Sequence, residues 1–172
     1  MKNKWKKYRW QIICGVLFAA MIVELLCLWQ QKKRTDVLGR EAANAAVTHF
    51  SNVYHYVRAC THELDRDDLL ERYRSAYGMF LMNTTTIDMD SAVMTFNDLL
   101  NQYLQASGEE KENLKSKLSL IGEEILADCV WAADYLSAGA GNAPVTDLYD
   151  PDSEYYKEME LRLEVIRQMA EQ

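Results

Sequence analysis

The segment from Ile12 to Trp29 constrains this chain most, because its 18 consecutive residues contain one ionisable side chain, Glu24. At 1.5 Å per residue, a helix of this length is about 27 Å long, close to the ~30 Å hydrocarbon core of a bilayer. Aromatic residues, which favour the headgroup interface, and clusters of Lys and Arg lie at both ends of the segment. The segment therefore predicts a single transmembrane helix over residues 12–29.

A cleaved signal peptide is the main alternative for this segment. Cleavage requires small residues at an A-x-A-like site after the apolar run, whereas the run ends here in Leu26, Cys27, Leu28 and Trp29. We therefore expect an uncleaved signal anchor. A buried helix of a soluble domain is the weaker third interpretation, given the length of the run and its basic, aromatic flanks.

The charges divide the chain into a basic N-terminal part and an acidic remainder. Residues 1–34 hold 8 of the 19 Lys and Arg residues and one acidic residue, whereas residues 35–172 hold 11 basic and 25 acidic residues, a net charge of −14. We expect a short basic N-terminus over 1–11, the anchor over 12–29 and an acidic domain over 30–172. Such an acidic domain is not expected to bind nucleic acid, since phosphate binding depends on Lys and Arg.

The basic residues beside the anchor indicate its orientation. Five of them and the amino terminus precede it, and four follow it, a slight bias toward a cytoplasmic N-terminus. Because long C-terminal domains are translocated largely regardless of charge, we expect the acidic domain outside the cytoplasm. The predicted location is the cell membrane, as a single-pass protein.

Glu24 is the unusual residue of the anchor. It lies about one and a half turns before Trp29. Its carboxyl group could reach the interface by snorkelling, or it could pair with a polar group on another transmembrane helix. The expected partners are the lipid bilayer and another membrane or membrane-associated protein, or a second copy of this chain in a homo-oligomer.

Apolar residues at helical spacing dominate the acidic domain. They predict helices over about 36–64, 67–106 with a break near 83–87, 109–137 and 151–171. The connections between these helices are mostly short, which is typical of antiparallel neighbours. The predicted fold class is all-α, with the transmembrane helix continuing directly into an antiparallel four-helix-type bundle.

The third predicted helix has the clearest pattern. Its apolar residues alternate steps of four and three over three heptads, which is typical of a bundle or coiled-coil face. The residues of this stripe are Leu114, Leu118, Ile121, Ile125, Cys129 (or Asp128), Ala132 and Leu136.

The last predicted helix begins with a recognisable start signal. Asp150 is expected as its N-cap, with Pro151 at the first helical position. Glu158 and Arg162 form an i,i+4 pair on one side. Another, inward side is expected to contain Tyr156, Met159, Leu163, Ile166 and Ala170.

Two groups of residues contain the side-chain types that bind metal ions. His49, His55 and His62 all fall on the first predicted helix of the acidic domain, but no HExxH motif accompanies them, so we expect solvent-facing or locally satisfied histidines. The acidic cluster between Asp147 and Glu154 lacks the glycine that an EF-hand loop requires, and helix capping explains it better.

Two cysteines of the acidic domain, Cys60 and Cys129, fall near inward stripes of separate helices. They could form a disulfide if the domain is extracytoplasmic, or remain buried free thiols. Cys14 and Cys27 lie within the apolar segment, where they serve as small apolar residues.

The sequence contains no motif of an enzyme: there is no CxxC, no Gly-rich phosphate loop and no GxSxG. We therefore expect no catalytic residue, cofactor or metal. The first hypothesis is an interaction or accessory subunit of a membrane-associated assembly. The alternative is an extracytoplasmic helical sensor, similar in architecture alone to the helical modules of bacterial chemoreceptors. A hydrolase or metal enzyme with an unrecognised site is the third.

Overall fold

A computed structural model of the chain describes residues 2–71, 89–138, 145–148 and 150–171. Every regular element among these residues is helical, which confirms the all-α prediction. The predicted break near 83–87 lies outside the described residues.

The helices follow one another with short connections where the chain between them is described. Residues 67–71 are helical, and Gly108 in the connection before the third long helix has a φ of 62°, a left-handed conformation that glycine adopts without strain. The long helices are, in chain order, α1 (Lys2–His62), α2 (Met89–Gln105), α3 (Glu109–Ala138) and α4 (Glu154–Glu171). A 3₁₀ turn (Val145–Leu148) lies between α3 and α4.

The chain divides into two compact units, Met1–Glu41 and Ala42–Gln172. In the second unit, the last part of α1 packs with α2, α3 and α4 around one apolar core. The predicted stripe of α3 is confirmed, because its members from Leu118 to Leu136 are buried and Leu114 packs against them. The largest fully buried side chains include Tyr56, Phe96, Leu118, Ile121, Ile125, Met159, Leu163 and Ile166.

The last part of α1 and α2 run in the same direction. Three pairs of contacts advance together along the two segments: His49 with Asp90, Tyr56 with Asn97, and Leu64 with Tyr103. An antiparallel four-helix-type arrangement does not describe this pair. The prediction treated residues 67–106 as one helix with a break, antiparallel to the first helix. The second part of that range is α2, which runs in the same direction as α1.

In contrast, α3 runs antiparallel to its neighbours. Near its beginning Lys115 donates to Asp65, just after the end of α1, whereas farther along α3 Gly122 lies beside Thr61. Toward α4 the same order holds, because Lys117 donates to the carbonyl of Ala170 and the later Asp128 pairs with Arg162.

The start of α4 differs from the prediction by three residues. The N-cap is Ser153 rather than Asp150, because Ser153 Oγ accepts a hydrogen bond from the Tyr156 backbone N–H at 3.0 Å. Asp150 instead accepts from the Asp152 N–H at 3.0 Å in the preceding turn. Ser153 is a second possible N-cap three residues after Asp150, and it caps α4 because Asp150 already accepts a hydrogen bond in the preceding turn.

The inward side of α4 also differs at one position. Tyr155 is buried, whereas the predicted Tyr156 is partly exposed. The ring of Tyr155 stacks on that of Trp131, with 5.2 Å between centroids and 14° between planes. Farther along, Met159 and the rest of the predicted stripe are buried or packed against the core.

α3 passes close to α1 at Gly122. A β-carbon on Gly122 would lie 2.5 Å from Thr61 Cγ2 and 3.5 Å from atoms of Phe96 and Val57. The Thr61 methyl cannot easily move, since Thr61 Oγ1 donates to the carbonyls of Val57 and Arg58 on its own helix, each at 3.0 Å. Gly122 therefore sets how closely the two helices pack.

We predict that Gly122→Ala lowers the free energy of unfolding. Overpacking typically costs about 1–3 kcal/mol, and the better helix propensity of alanine returns at most about 1 kcal/mol. Thr61→Ser removes the obstructing methyl, so the double variant should regain most of the lost stability. Thermal unfolding followed by circular dichroism in detergent measures both effects.

The matched control for this prediction is Gly39→Ala, because a β-carbon at Gly39 meets nothing within 4 Å. It should leave the melting temperature unchanged or raise it slightly. If the Gly122→Ala and Gly39→Ala variants have the same melting temperature, Gly122 does not lie as close to Thr61 as the structure shows.

Candidate functional site

The apolar segment of α1 presents its side chains to the surroundings on every side. Each residue from Ile13 to Trp29 is exposed, and Leu17, Phe18 and Leu25 are 64%, 60% and 60% exposed. Within the described part of the chain, α1 is the helix long and apolar enough to cross a membrane, and none of its most apolar window is buried. A helix that is apolar all round requires a covering of lipid or protein.

Glu24 lies in the middle of this exposed surface. It forms no ion pair with the described residues. Helical spacing places Ala20, Cys27 and Gln31 on the same side of α1, since they are four, three and seven residues away from Glu24. The expected contact of Glu24 with another transmembrane helix stays a prediction.

The three histidines occupy different environments. His55 and His62 are exposed, as expected. His49 is not solvent-facing: it is 2% exposed, and its Nε2 lies 3.7 Å from Oδ1 of Asp90 on α2. Burial lowers the pKa of His49 from its ordinary value, although the nearby Asp90 carboxylate opposes this shift. His49 is therefore a buried side chain of α1 whose neutral form is favoured by its surroundings.

Cys60 and Cys129 are buried free thiols in the structure. Burial raises the pKa of each thiol to about 12. Because the thiolate is the reactive form, neither side chain is suited to be a nucleophile at neutral pH. Their pairing in a disulfide stays a prediction.

Local hydrogen bonds involve two residues of the acidic cluster before α4, one through its carboxylate and one through its backbone carbonyl. Asp150 accepts from a backbone N–H in its turn, and the carbonyl of Asp147 accepts from Ser153 Oγ at 2.7 Å. Among the described residues, no group of three or more His, Cys, Asp and Glu side chains could hold a metal ion. The expectation of no metal and no cofactor stays a prediction.

The interface between α3 and α4 contains a buried ion pair. Asp128 is 0% exposed, and its Oδ1 accepts from Arg162 Nη1 at 2.9 Å, while its Oδ2 has no hydrogen-bond partner among the described residues. Arg162 Nη2 binds Glu158 at 3.0 Å, which confirms that i,i+4 pair. The Arg162 guanidinium also lies 4.6 Å from the ring centroid of Trp131.

Desolvation and the ion pair have opposite effects on the pKa values of Asp128 and Arg162. Burial raises the pKa of Asp128, and the hydrogen bond from Arg162 only partly opposes it. Burial disfavours the charge of Arg162, but the hydrogen bond and charge of Asp128, with Glu158, outweigh this and raise its pKa. A buried ion pair of this kind contributes little net stability, because desolvation of the two charges offsets their attraction. Breaking the pair is nevertheless costly, because it leaves a charge without a partner, and the pair is therefore specific in geometry.

Sequence reasoning found only part of this group. Asp128 was an alternative member of the α3 stripe and Arg162 was paired with Glu158, but nothing in the sequence joined α3 to α4 at these positions. The available signal was a charged residue at an inward heptad position, which requires a partner of opposite charge on a facing helix. Arg162 next to the apolar stripe of α4 was the candidate.

Comparisons of the chain with models of protein families, with curated proteins and with solved structures found no match. The function is therefore inferred from the exposed apolar surface, the charges and the packing of the chain.

We predict that His49 makes the stability of the second unit depend on pH. Because its pKa is lowered in the folded state, the unfolded state binds the proton first as the pH falls through the ordinary value of 6.5. Stability is therefore present above that value and decreases as the pH falls below it. His49→Gln should flatten this part of the profile of melting temperature against pH.

His55→Gln is the control, since His55 is exposed. It should retain the parent profile. An equal slope in the His49→Gln variant and the parent chain would mean that His49 does not titrate between the folded and unfolded states as its burial implies.

Proposed function

We propose that this protein is a single-pass membrane protein whose acidic helical domain binds another protein, as an accessory subunit of a membrane-associated assembly. The N-terminus is cytoplasmic and the acidic domain extracytoplasmic in this proposal. The observation that carries it is the exposed apolar surface of α1 from Ile13 to Trp29.

The size of this surface supports a membrane as its covering. Removing one Leu, Ile or Phe side chain from water is favourable by about 1.5–3 kcal/mol, and the segment contains more than ten large apolar residues. A bilayer covers a helix on all sides at once, as this distribution of exposed side chains requires. Basic residues before and after the segment suit the two headgroup regions.

The properties of the acidic domain support an interaction role. Its helices form a bundle in this proposal, with α1 and α2 parallel and α3 antiparallel to its neighbours. Its titratable groups in the core serve packing: His49 and both buried thiols are held in neutral forms, and Asp128 is bound by Arg162. The proposal therefore assigns no catalytic residue to the domain.

Membrane fractionation tests the anchor. The full-length chain should stay in the membrane pellet after a carbonate wash, whereas deletion of residues 1–34 should release a soluble helical domain, because the exposed apolar segment is then absent. Recovery of a mature chain that begins after Cys27 would show a cleaved signal peptide and contradict the proposal.

Substitutions of Glu24 test the intramembrane contact. A carboxyl group on a lipid-exposed helix gains a hydrogen bond of about 1–2 kcal/mol if a donor on another transmembrane helix faces it. We predict that Glu24→Leu leaves insertion and folding intact but lowers the yield of the membrane partner in co-purification.

Glu24→Gln is the matched variant, because it retains hydrogen bonding and removes the charge. It should lose less of the partner than Glu24→Leu if hydrogen bonding dominates. Equal recovery of the same partners by the parent chain and both variants would mean that Glu24 snorkels to the interface and holds no partner.

A further inference from the structure

A groove of about 700 Å³ lies between the first half of α3 and the C-terminal end of α4, within the second unit. Its apolar lining includes Leu114, Leu120 and Ile121 of α3 and Met169 of α4. Leu120 is 61% exposed, so a large apolar side chain stands at the surface beside this opening. The groove is therefore an apolar surface at the seam of two helices.

The apolar surface continues along α4 beyond the groove. Leu161 and Val165 precede Met169 by eight and four residues, so the three side chains form one row on the helix. Leu161 is 65% exposed and Val165 is 40% exposed. This row is about 12 Å long, which corresponds to rather more than two turns of an opposing helix.

The polar side chains of the groove give it a negative character. Glu109 and Glu110 line it, and neither forms an ion pair with the residues that the structure describes. Lys117 also lines it, but its amine already donates to the carbonyl of Ala170 at the end of α4. The amine of Lys117 is thus held within the fold but keeps its charge, so the two carboxylates and one ammonium leave the groove a net charge of −1. The two carboxylates are available to a ligand.

We propose that this groove binds an amphipathic helix of a partner protein. The apolar side of that helix would contact Leu120, Val165 and Met169, and Lys or Arg residues at its edge would face Glu109 and Glu110. The proposal rests on the interaction role proposed above and names the surface and the chemistry of the partner. A second copy of this chain is a poor occupant, because residues 35–172 of each copy carry a net charge of −14.

The test uses the full-length chain in nanodiscs of zwitterionic lipid. The probe is a fluorescent synthetic peptide of Leu and Lys, with leucine on one side of an 18-residue helix of about five turns. Two further peptides have the same leucines with Glu in place of Lys, and the same composition in a scrambled order. Fluorescence anisotropy, corrected for binding to empty nanodiscs, measures the affinity of each.

We expect saturable binding of the Leu/Lys peptide and at least tenfold weaker binding of the other two. Leu120→Arg should weaken binding by about tenfold or more, since it places a charge at the centre of the contact. Glu109→Lys combined with Glu110→Lys should also weaken it. Met94→Arg is the control, because Met94 is 62% exposed on α2, outside the groove; its affinity should equal that of the parent chain.

Three results would overturn this assignment. The first is the absence of saturable binding. The second is equal affinity of the parent chain and the Leu120→Arg variant, with retained helicity by circular dichroism. The third is a dimer of the parent chain that dissociates in that variant, measured by mass photometry, which would make a second copy the occupant. Failure here with normal membrane retention and partner co-purification would leave the proposed function intact and place the partner elsewhere.

Discussion

The exposed apolar surface of α1 is the constraint on which the proposed location of this protein depends, because none of its most apolar window is buried by the residues that the structure describes. Side chains from Ile13 to Trp29 are exposed around the whole helix, and removing each large one from water is favourable by about 1.5–3 kcal/mol. In the proposed function, lipid covers this surface without a specific partner. Glu24 is then the position of the segment at which the proposed membrane partner would gain most, because a carboxyl group is unfavourable in lipid alone.

The second unit satisfies its own requirements internally. Its apolar stripes meet in a core, and its inward polar groups are either neutral or paired: His49 lies beside Asp90, and Asp128 is bound by Arg162. Arg162 joins three interactions, with Asp128, Glu158 and the ring of Trp131, and two of these partners lie on α3. Among the residues that the structure describes, the apolar segment of α1 and the groove beside Leu120 are two apolar surfaces that stay exposed.

The spacing of apolar residues predicted the helices and much of the core, because a helix with one buried side repeats every three or four residues whatever it packs against. The stripe of α3 is buried as expected, and most of the stripe of α4 is as well. Predictions were wrong where two local choices were nearly equal. Ser153 and Asp150 are both good caps, and Tyr155 and Tyr156 are adjacent; hydrogen bonding in the turn and stacking on Trp131 decided between them.

The sequence by itself determined the class of the fold, the exposed apolar helix and the opposite charges of the two parts, because these depend on composition and local periodicity. Tertiary structure alone decided the directions of the helices and the partners across them. The parallel course of α1 and α2, the contact of Gly122 with Thr61 and the pair of Asp128 with Arg162 all join residues far apart in the chain. No local pattern specifies such pairs, since they arise only when helices meet and bury each other's side chains.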